Sequence, residues 1–282
     1  DADVDAVSVC TPSGTHADVT VEAARAGAHV LCEKPLDIFA DRLDRMLSVC
    51  EEEGVTLAGV FQKRTTESAR RAKRAVEDGE IGDLVFGTAR VKWFRSQSYY
   101  DSGDWRGTRD LDGGSLLNQA IHAIDTLQWV AGGVESVQAM TDTLARDIDV
   151  EDTTAIALRF ENGALGTIEA SVATKGGNDG VELNGTDGSI AFTEDEISSF
   201  RVGNGVEEPF HAETETVDAD VVAQEWGEGH AVVVQDFVDA IREGLDPMVT
   251  GREARAAVDV ILAAYESAER GERVAVEEIR GD

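Results

Sequence analysis

Residues 7–36 read Val7-Ser8-Val9-Cys10-Thr11-Pro12-Ser13-Gly14-Thr15-His16-Ala17-Asp18-Val19-Thr20-Val21-Glu22-Ala23-Ala24-Arg25-Ala26-Gly27-Ala28-His29-Val30-Leu31-Cys32-Glu33-Lys34-Pro35-Leu36. An apolar run over 6–10, cut off by Thr11-Pro12-Ser13-Gly14, has the character of a buried parallel strand. Residues 16–26 carry apolar groups at 19, 23 and 26 and close on Gly27, which predicts a helix and its stop. A second apolar run, 28–32, ends in Glu33-Lys34-Pro35. Strand, helix and strand make a βαβ unit. In open parallel sheets ligands bind beyond the carboxyl ends of the strands. Thr11-Pro12-Ser13 and Glu33-Lys34-Pro35 both stand at such ends.

Thr11-Pro12-Ser13-x-x-His16 followed by Glu33-Lys34-Pro35 resembles the cofactor half of the glucose–fructose oxidoreductase/inositol dehydrogenase (Gfo/Idh/MocA) family. The resemblance implies that Lys34 lies beside the nicotinamide and the substrate hydroxyl. It implies that Thr11 and Pro12 pack along the cofactor, with Ser13, His16 and Glu33 in the same wall. Ser13 stands where the family usually has Asn. The family's Gly-x-Gly-x-x-Gly does not occur before this unit. A complete dinucleotide half needs two earlier βαβ-type steps, on the order of 60 residues. The expectation is therefore an N-terminally incomplete Rossmann-type half whose first strands lie upstream of Asp1, the alternative being a degraded family member that does not bind dinucleotide. The residue that reads the ribose 2′ position would fall there too, so the cofactor is NAD or NADP.

The chain then predicts a helix over 39–53 and a strand over 55–61, with Gln62-Lys63-Arg64 at its carboxyl end. The resemblance implies that Arg64 faces the substrate. A helix over 66–77 and a long strand over 84–94 follow. The loop 96–108 is long and aromatic, and long loops in compact domains are usually functional. Its Trp105-Arg106-Gly107-Thr108 is similar to a segment of the sugar-nucleotide members, where the Trp-Arg pair reaches cofactor and substrate. Arginine can fork onto a phosphate or carboxylate as lysine cannot.

Gly113-Gly114-Ser115 opens a helix predicted over 116–131 and stopped by Gly132-Gly133. Asn118, His122, Asp125 and Trp129 form one stripe on it. Polar groups on an otherwise apolar helix need partners or a cavity. Gly-Gly-x-x-x-Asn-Gln-x-Ile-His-x-x-Asp resembles the family's second motif, which implies that His122 flanks the reacting hydroxyl. An amide can position a substrate but cannot act as a base. His122 would then be the general base, with Lys34 bonding the same oxygen and Asn118 positioning it. Gln119 and Arg106 complete the substrate contacts, and no metal is expected.

Strands predicted over 134–143, 152–160, 164–173, 180–184 and 189–192 are separated by turn signals, which implies a large, mainly antiparallel sheet. Residues 199–217 suggest edge strands, and 232–242 and 252–269 are amphipathic helices; His230 reads as a surface loop residue. The expected fold is thus an α/β dinucleotide-binding remainder over 1–62 and an α+β domain over 63–282. The second domain binds substrate, its C-terminal helices pack back, and a symmetric copy covers its open sheet as a homodimer or homotetramer.

With 56 acidic against 25 basic residues the net charge is −31, which is no nucleic-acid footprint. Only five of the basic residues are lysines, at 34, 63, 73, 92 and 175. Such an acidic, lysine-poor surface resembles cytosolic proteins of salt-accumulating halophiles, in which screening mutes self-repulsion. Cys10, Cys32 and Cys50 have no metal spacing; Cys10 and Cys32, at predicted strand ends, read as buried free thiols, which fits a reducing cytoplasm. No run approaches a membrane span. The function expected is NAD(P)-dependent oxidation of a secondary hydroxyl on a sugar, cyclitol or sugar nucleotide. Two rivals stay open: an NAD-dependent glycoside hydrolase, marked by retained cofactor, and a non-catalytic sugar sensor, marked by tolerance to loss of Lys34 and His122.

Overall fold

Three parallel strands, β1 (Ala6–Val9), β2 (His29–Cys32) and β3 (Leu57–Gly59), lie in the order β1-β2-β3. Parallel neighbours need crossovers. Helices α1 (His16–Arg25) and α2 (Ala40–Glu52) supply them, burying Val21 and Ala24 on one and Leu43, Met46 and Cys50 on the other. This computed structural model describes residues 4–203, 205–207, 210–211 and 228–280. Cys10, expected to be buried, is exposed beyond β1, because that strand end opens onto the crevice; Cys32 and Cys50 are buried.

A turn over 62–65 leads into α3 (Glu67–Glu77), whose N-cap Thr66 accepts a hydrogen bond from the Ala69 amide. Among the described residues the second sheet has ten strands. They are β4 (Leu84–Lys92), β5 (Val134–Asp142), β6 (Thr153–Phe160), β7 (Leu165–Ser171), β8 (Gly180–Gly185), β9 (Gly188–Phe192), β10 (Glu196–Val202), β11 (Gly205–Glu207), β12 (Phe210–His211) and β13 (Val274–Ala275). The order is β11-β10-β9-β8-β4-β7-β6-β5-β13, with β12 on β10. Pairing is antiparallel except between β4 and β7. β4 therefore sits between β7 and β8, and the 172–179 connection must cross its carboxyl end. The part of the expected edge region at 212–217 lies outside the described residues, and β13 has no signal in the sequence.

One face of this sheet is covered by α5 (Ile121–Ala131) against β4 and β8, and by α7 (Gly251–Arg270) against β5. On the opposite face Phe86, Leu165 and Met140 are exposed, Met140 by 79%. The loop after β4 contains one helical turn, α4 (Gln97–Tyr100), rather than irregular chain alone. α6 (Glu228–Glu243) packs on β2 and on the 62–65 turn. It starts earlier than the periodicity suggests, so His230 is helical. α7 is anchored by a Thr250–Glu253 capping box and also contacts β3 and α2. It thereby bolts the parallel sheet to the large one, and one apolar core runs through both. Among the described residues no helix is long and apolar enough to cross a membrane.

Candidate functional site

The ends of β1 and β2 are tied together by His16. Its Nδ1 lies 2.7 Å from the Pro35 carbonyl and its Nε2 2.7 Å from the Thr11 carbonyl. Both ring nitrogens are thus spent on main chain, and the ring is buried. His16 shapes the wall from behind instead of touching a cofactor, which corrects the sequence expectation. Ser13 is buried and Pro12 half-buried, while Thr11 is exposed. The Gly14 amide donates to the Leu111 carbonyl at 3.0 Å. A Cβ on Gly14 would stand 1.9 Å from the Asp110 carbonyl oxygen, so only glycine lets the 108–112 loop seat here.

The helix expected over 116–131 is two pieces. Leu116–Ala120 is a π turn that runs into α5. Such insertions recur at functional sites because they re-aim side chains and carbonyls. Glu151 holds the start of this segment. Its Oε1 accepts from the Leu116 amide at 2.9 Å, the Ser115 hydroxyl at 3.2 Å and the Tyr265 hydroxyl at 3.1 Å. A Cβ on Gly114 would fall 1.4 Å from Glu151 Oε2, so this glycine leaves room for the carboxylate.

Burial pushes the Glu151 carboxyl up to about 7, against an ordinary 4.5. The protonated form is favoured in the fold, so its stabilisation is complete below about pH 4.5 and is lost as pH rises through about 7. The loss amounts to about 3 kcal/mol at mildly alkaline pH. Melting temperature should fall between pH 5 and 8, and Glu151→Gln should flatten that slope. An unchanged slope in the variant would exclude Glu151 as its source.

At the π turn the carbonyl of Asn118 accepts from Lys34 Nζ at 2.7 Å. The Asn118 amide donates to Asp112 and accepts from Gln119. Arg95 Nη2 donates to Gln119 Oε1 at 2.8 Å. The side chain of Asn118 is therefore committed to protein, and its main chain is what meets Lys34. His122 follows on the same side, buried and edge-on to Phe61 at 5.8 Å. Its Nδ1 is sealed from solvent with no partner.

Burial, then the charges of Lys34, Lys63 and His230, hold the proton affinity of His122 well below the usual imidazole range. Burial also lowers that of Lys34; Glu33 and Asp112 counter it, and Lys63 and Arg95 add to it.

Residues 1–61 match the oxidoreductase family with an NAD-binding Rossmann fold, and residues 69–191 match the GFO/IDH/MocA C-terminal domain. A D-xylose 1-dehydrogenase (NADP(+)) of Haloferax volcanii is 31% identical over 97% of this chain and 81% of its own length. The chain belongs to the Gfo/Idh/MocA family. Other relatives of this family agree. The levoglucosan dehydrogenase of Pseudarthrobacter phenanthrenivorans is 27% identical over 86% of this chain and 73% of its own. The crystal structure of the WlbA dehydrogenase from Bordetella pertussis, in complex with NADH and UDP-GlcNAcA, superposes with a TM-score of 0.86. It is 33% identical, over 96% of this chain and 79% of that one. Neither the glycoside hydrolase nor the sensor reading finds support among these Gfo/Idh/MocA relatives.

Arg64 departs from the sequence expectation. Its Nε and Nη2 fork onto Asp125 at 2.8 and 2.6 Å, and both side chains are buried, 3% and 1% exposed. Arg64 is a buried counter-charge of α5, not a substrate contact. The predicted stripe splits accordingly, since Asp125 and Trp129 face Arg64. Arg106 donates to the Tyr99 hydroxyl at 2.7 Å and stacks 4.4 Å from the Tyr99 ring and 4.5 Å from Trp105. Tyr99 in turn meets Gln119 at 3.4 Å, so the Trp105–Arg106 pair stands one aromatic ring away from the π turn. Three residues join the site that sequence reasoning left out. His230 Nε2 lies 3.8 Å from Glu33 Oε1, while Lys63 and Arg95 act on Lys34. The positions of Lys63 and Arg95 just past strand carboxyl ends were usable signals; His230 carried none.

Proposed function

We propose that the chain oxidises a secondary hydroxyl of a sugar, cyclitol or sugar nucleotide, with NAD or NADP as hydride acceptor. The observation that carries this reading is that Lys34 is anchored on the segment that bears His122: its ammonium donates to the Asn118 carbonyl, one turn before that histidine, whose Nδ1 is buried without a partner. Thr11–Ser13 and Glu33–Lys34 flank the crevice at the strand ends and fit a dinucleotide whose reactive end lies by Lys34. The nicotinamide, when bound, takes up the hydride. Burial and the surrounding cations keep His122 neutral, so Nε2 accepts the hydroxyl proton. Lys34 keeps two N–H donors beyond the one given to Asn118, and they stabilise the developing alkoxide. Asn118, Gln119 and Asp112 position that lysine through the π turn.

The test uses secondary alcohols of these classes carrying deuterium on the carbinol carbon. Deuterium should appear in the reduced nicotinamide, with one equivalent of ketone formed per turnover. Turnover that leaves the cofactor pool oxidised, as in transient-oxidation hydrolysis, would overturn the reading.

A further inference from the structure

We infer that the substrate carries an anionic substituent, a carboxylate or a phosphate ester, on or beside the ring being oxidised, and that Arg95 binds it. This rests on the dehydrogenase reading of the same site. Arg95 follows the carboxyl end of β4, and its main chain is pinned: its amide donates to the Val172 carbonyl at 2.9 Å, and its carbonyl accepts from Arg146 Nε at 2.6 Å. Its guanidinium reaches the π turn, where it donates to Gln119. Gln119 is the neighbour of Asn118, whose carbonyl holds Lys34. The cation is thus placed one residue along from the anchor of the proposed catalytic lysine.

The ring systems of Trp93 and Tyr99 lie 5.9 and 5.3 Å from the Arg95 guanidinium carbon and wall it in. Nε is sealed from solvent without a partner. Among the described residues no carboxylate pairs with Arg95, although acidic residues outnumber basic ones 56 to 25 in this chain. Arg64, Arg71, Arg90 and Arg255 each have such a partner. Lys63 adds a second cation, 5.1 Å from the same Trp93 ring and 3.4 Å from Glu194. The acidic groups acting on Lys34 are Glu33, which accepts from the Lys34 amide, and Asp112, which accepts from Gly107 and Asn118; neither bonds Arg95.

Arg95 alone of these cations is half-buried without a carboxylate of its own, since Lys63 has Glu194 and Lys34 has Glu33 and Asp112 nearby. A ligand anion supplies the missing charge, and the planar guanidinium fork suits carboxylate and phosphate oxygens. Arg106, which the sequence suggested for this task, is already committed to Tyr99.

The experiment compares matched pairs: D-glucose with D-glucuronate, D-galactose with D-galacturonate, D-glucose with D-glucose 6-phosphate, and UDP-glucose with UDP-glucuronate. Each is assayed for kcat/KM with either nicotinamide cofactor at one fixed ionic strength, because a protein of net charge −31 repels anions in a salt-dependent way. Calorimetric titration of the same compounds into the cofactor-free chain gives a readout independent of turnover. The charged member of at least one pair should be preferred about 10-fold or more, and Arg95→Gln should abolish that preference, as expected for a lost charged hydrogen bond. Arg95→Lys, which keeps charge and loses the fork, should retain part of it and decides the matter if Arg95→Gln misfolds. The uronates and the 6-phosphate separate the two anion sources. Preference for neutral members, or equal losses on both members in Arg95→Gln, overturns the inference. Anion binding that depends on Arg95 with no hydride transfer from any compound overturns the dehydrogenase reading and leaves the anion site standing. Absence of both overturns both.

Discussion

His122→Ala should lower turnover about 10²–10⁴-fold, the usual range for a positioned acid–base group. Hydride cannot leave a secondary alcohol unless something takes the hydroxyl proton, and His122 is the base proposed for it, held neutral by burial one turn after the carbonyl that anchors Lys34. Lys34→Ala should cost a similar factor, since it removes the donor that stabilises the alkoxide. Cofactor affinity should suffer more from the lysine change, because only Lys34 belongs to the parallel-sheet side. The pH profile separates the roles. Oxidation needs neutral imidazole, and burial with Lys34 nearby holds His122 well below its ordinary value. The rate should therefore stay level through neutral pH and fall only at more acid pH. Removing the Lys34 charge raises the proton affinity of His122, so the fall should begin at higher pH in Lys34→Ala. Near-normal turnover in His122→Ala would end this mechanism.

Arg64→Ala should destabilise the fold by about 3–5 kcal/mol, the cost of stripping one partner from a buried ion pair. Asp125 would be left ionised or neutralised inside the core, without the two guanidinium bonds at 2.8 and 2.6 Å. Asp125→Ala should cost about as much for the mirrored reason. The double change Arg64→Met with Asp125→Leu should recover most of the loss, because apolar groups of similar volume carry no desolvation penalty. Chemical denaturation of the three variants reads this directly. Folded Arg64→Ala should keep its KM, whereas a substrate contact would raise KM with little change in stability.

Much of the site was legible because its signals are local. Thr11-Pro12-Ser13 and Glu33-Lys34-Pro35 terminate apolar runs, and Gly113-Gly114 precedes the helix, so each could be placed from turn residues and period. Arg64 misled for the same reason. It follows a strand end on the ligand side, and nothing near it in sequence announces Asp125, 61 positions away. His16 shows the same limit, since the carbonyls that occupy its ring belong to two different loops.

The sequence by itself determined the βαβ unit, strands β4 to β9 of the large sheet and the candidacy of Lys34 and His122, since apolar periodicity and turn chemistry act over a few neighbours. Tertiary structure alone decided the π turn at Leu116–Ala120, the parallel β4–β7 pair and the company kept by each charge. A single extra residue in a helical turn redirects every side chain after it. Its stability comes from partners such as Glu151 and Lys34, which reach that turn only once both sheets are packed on α7.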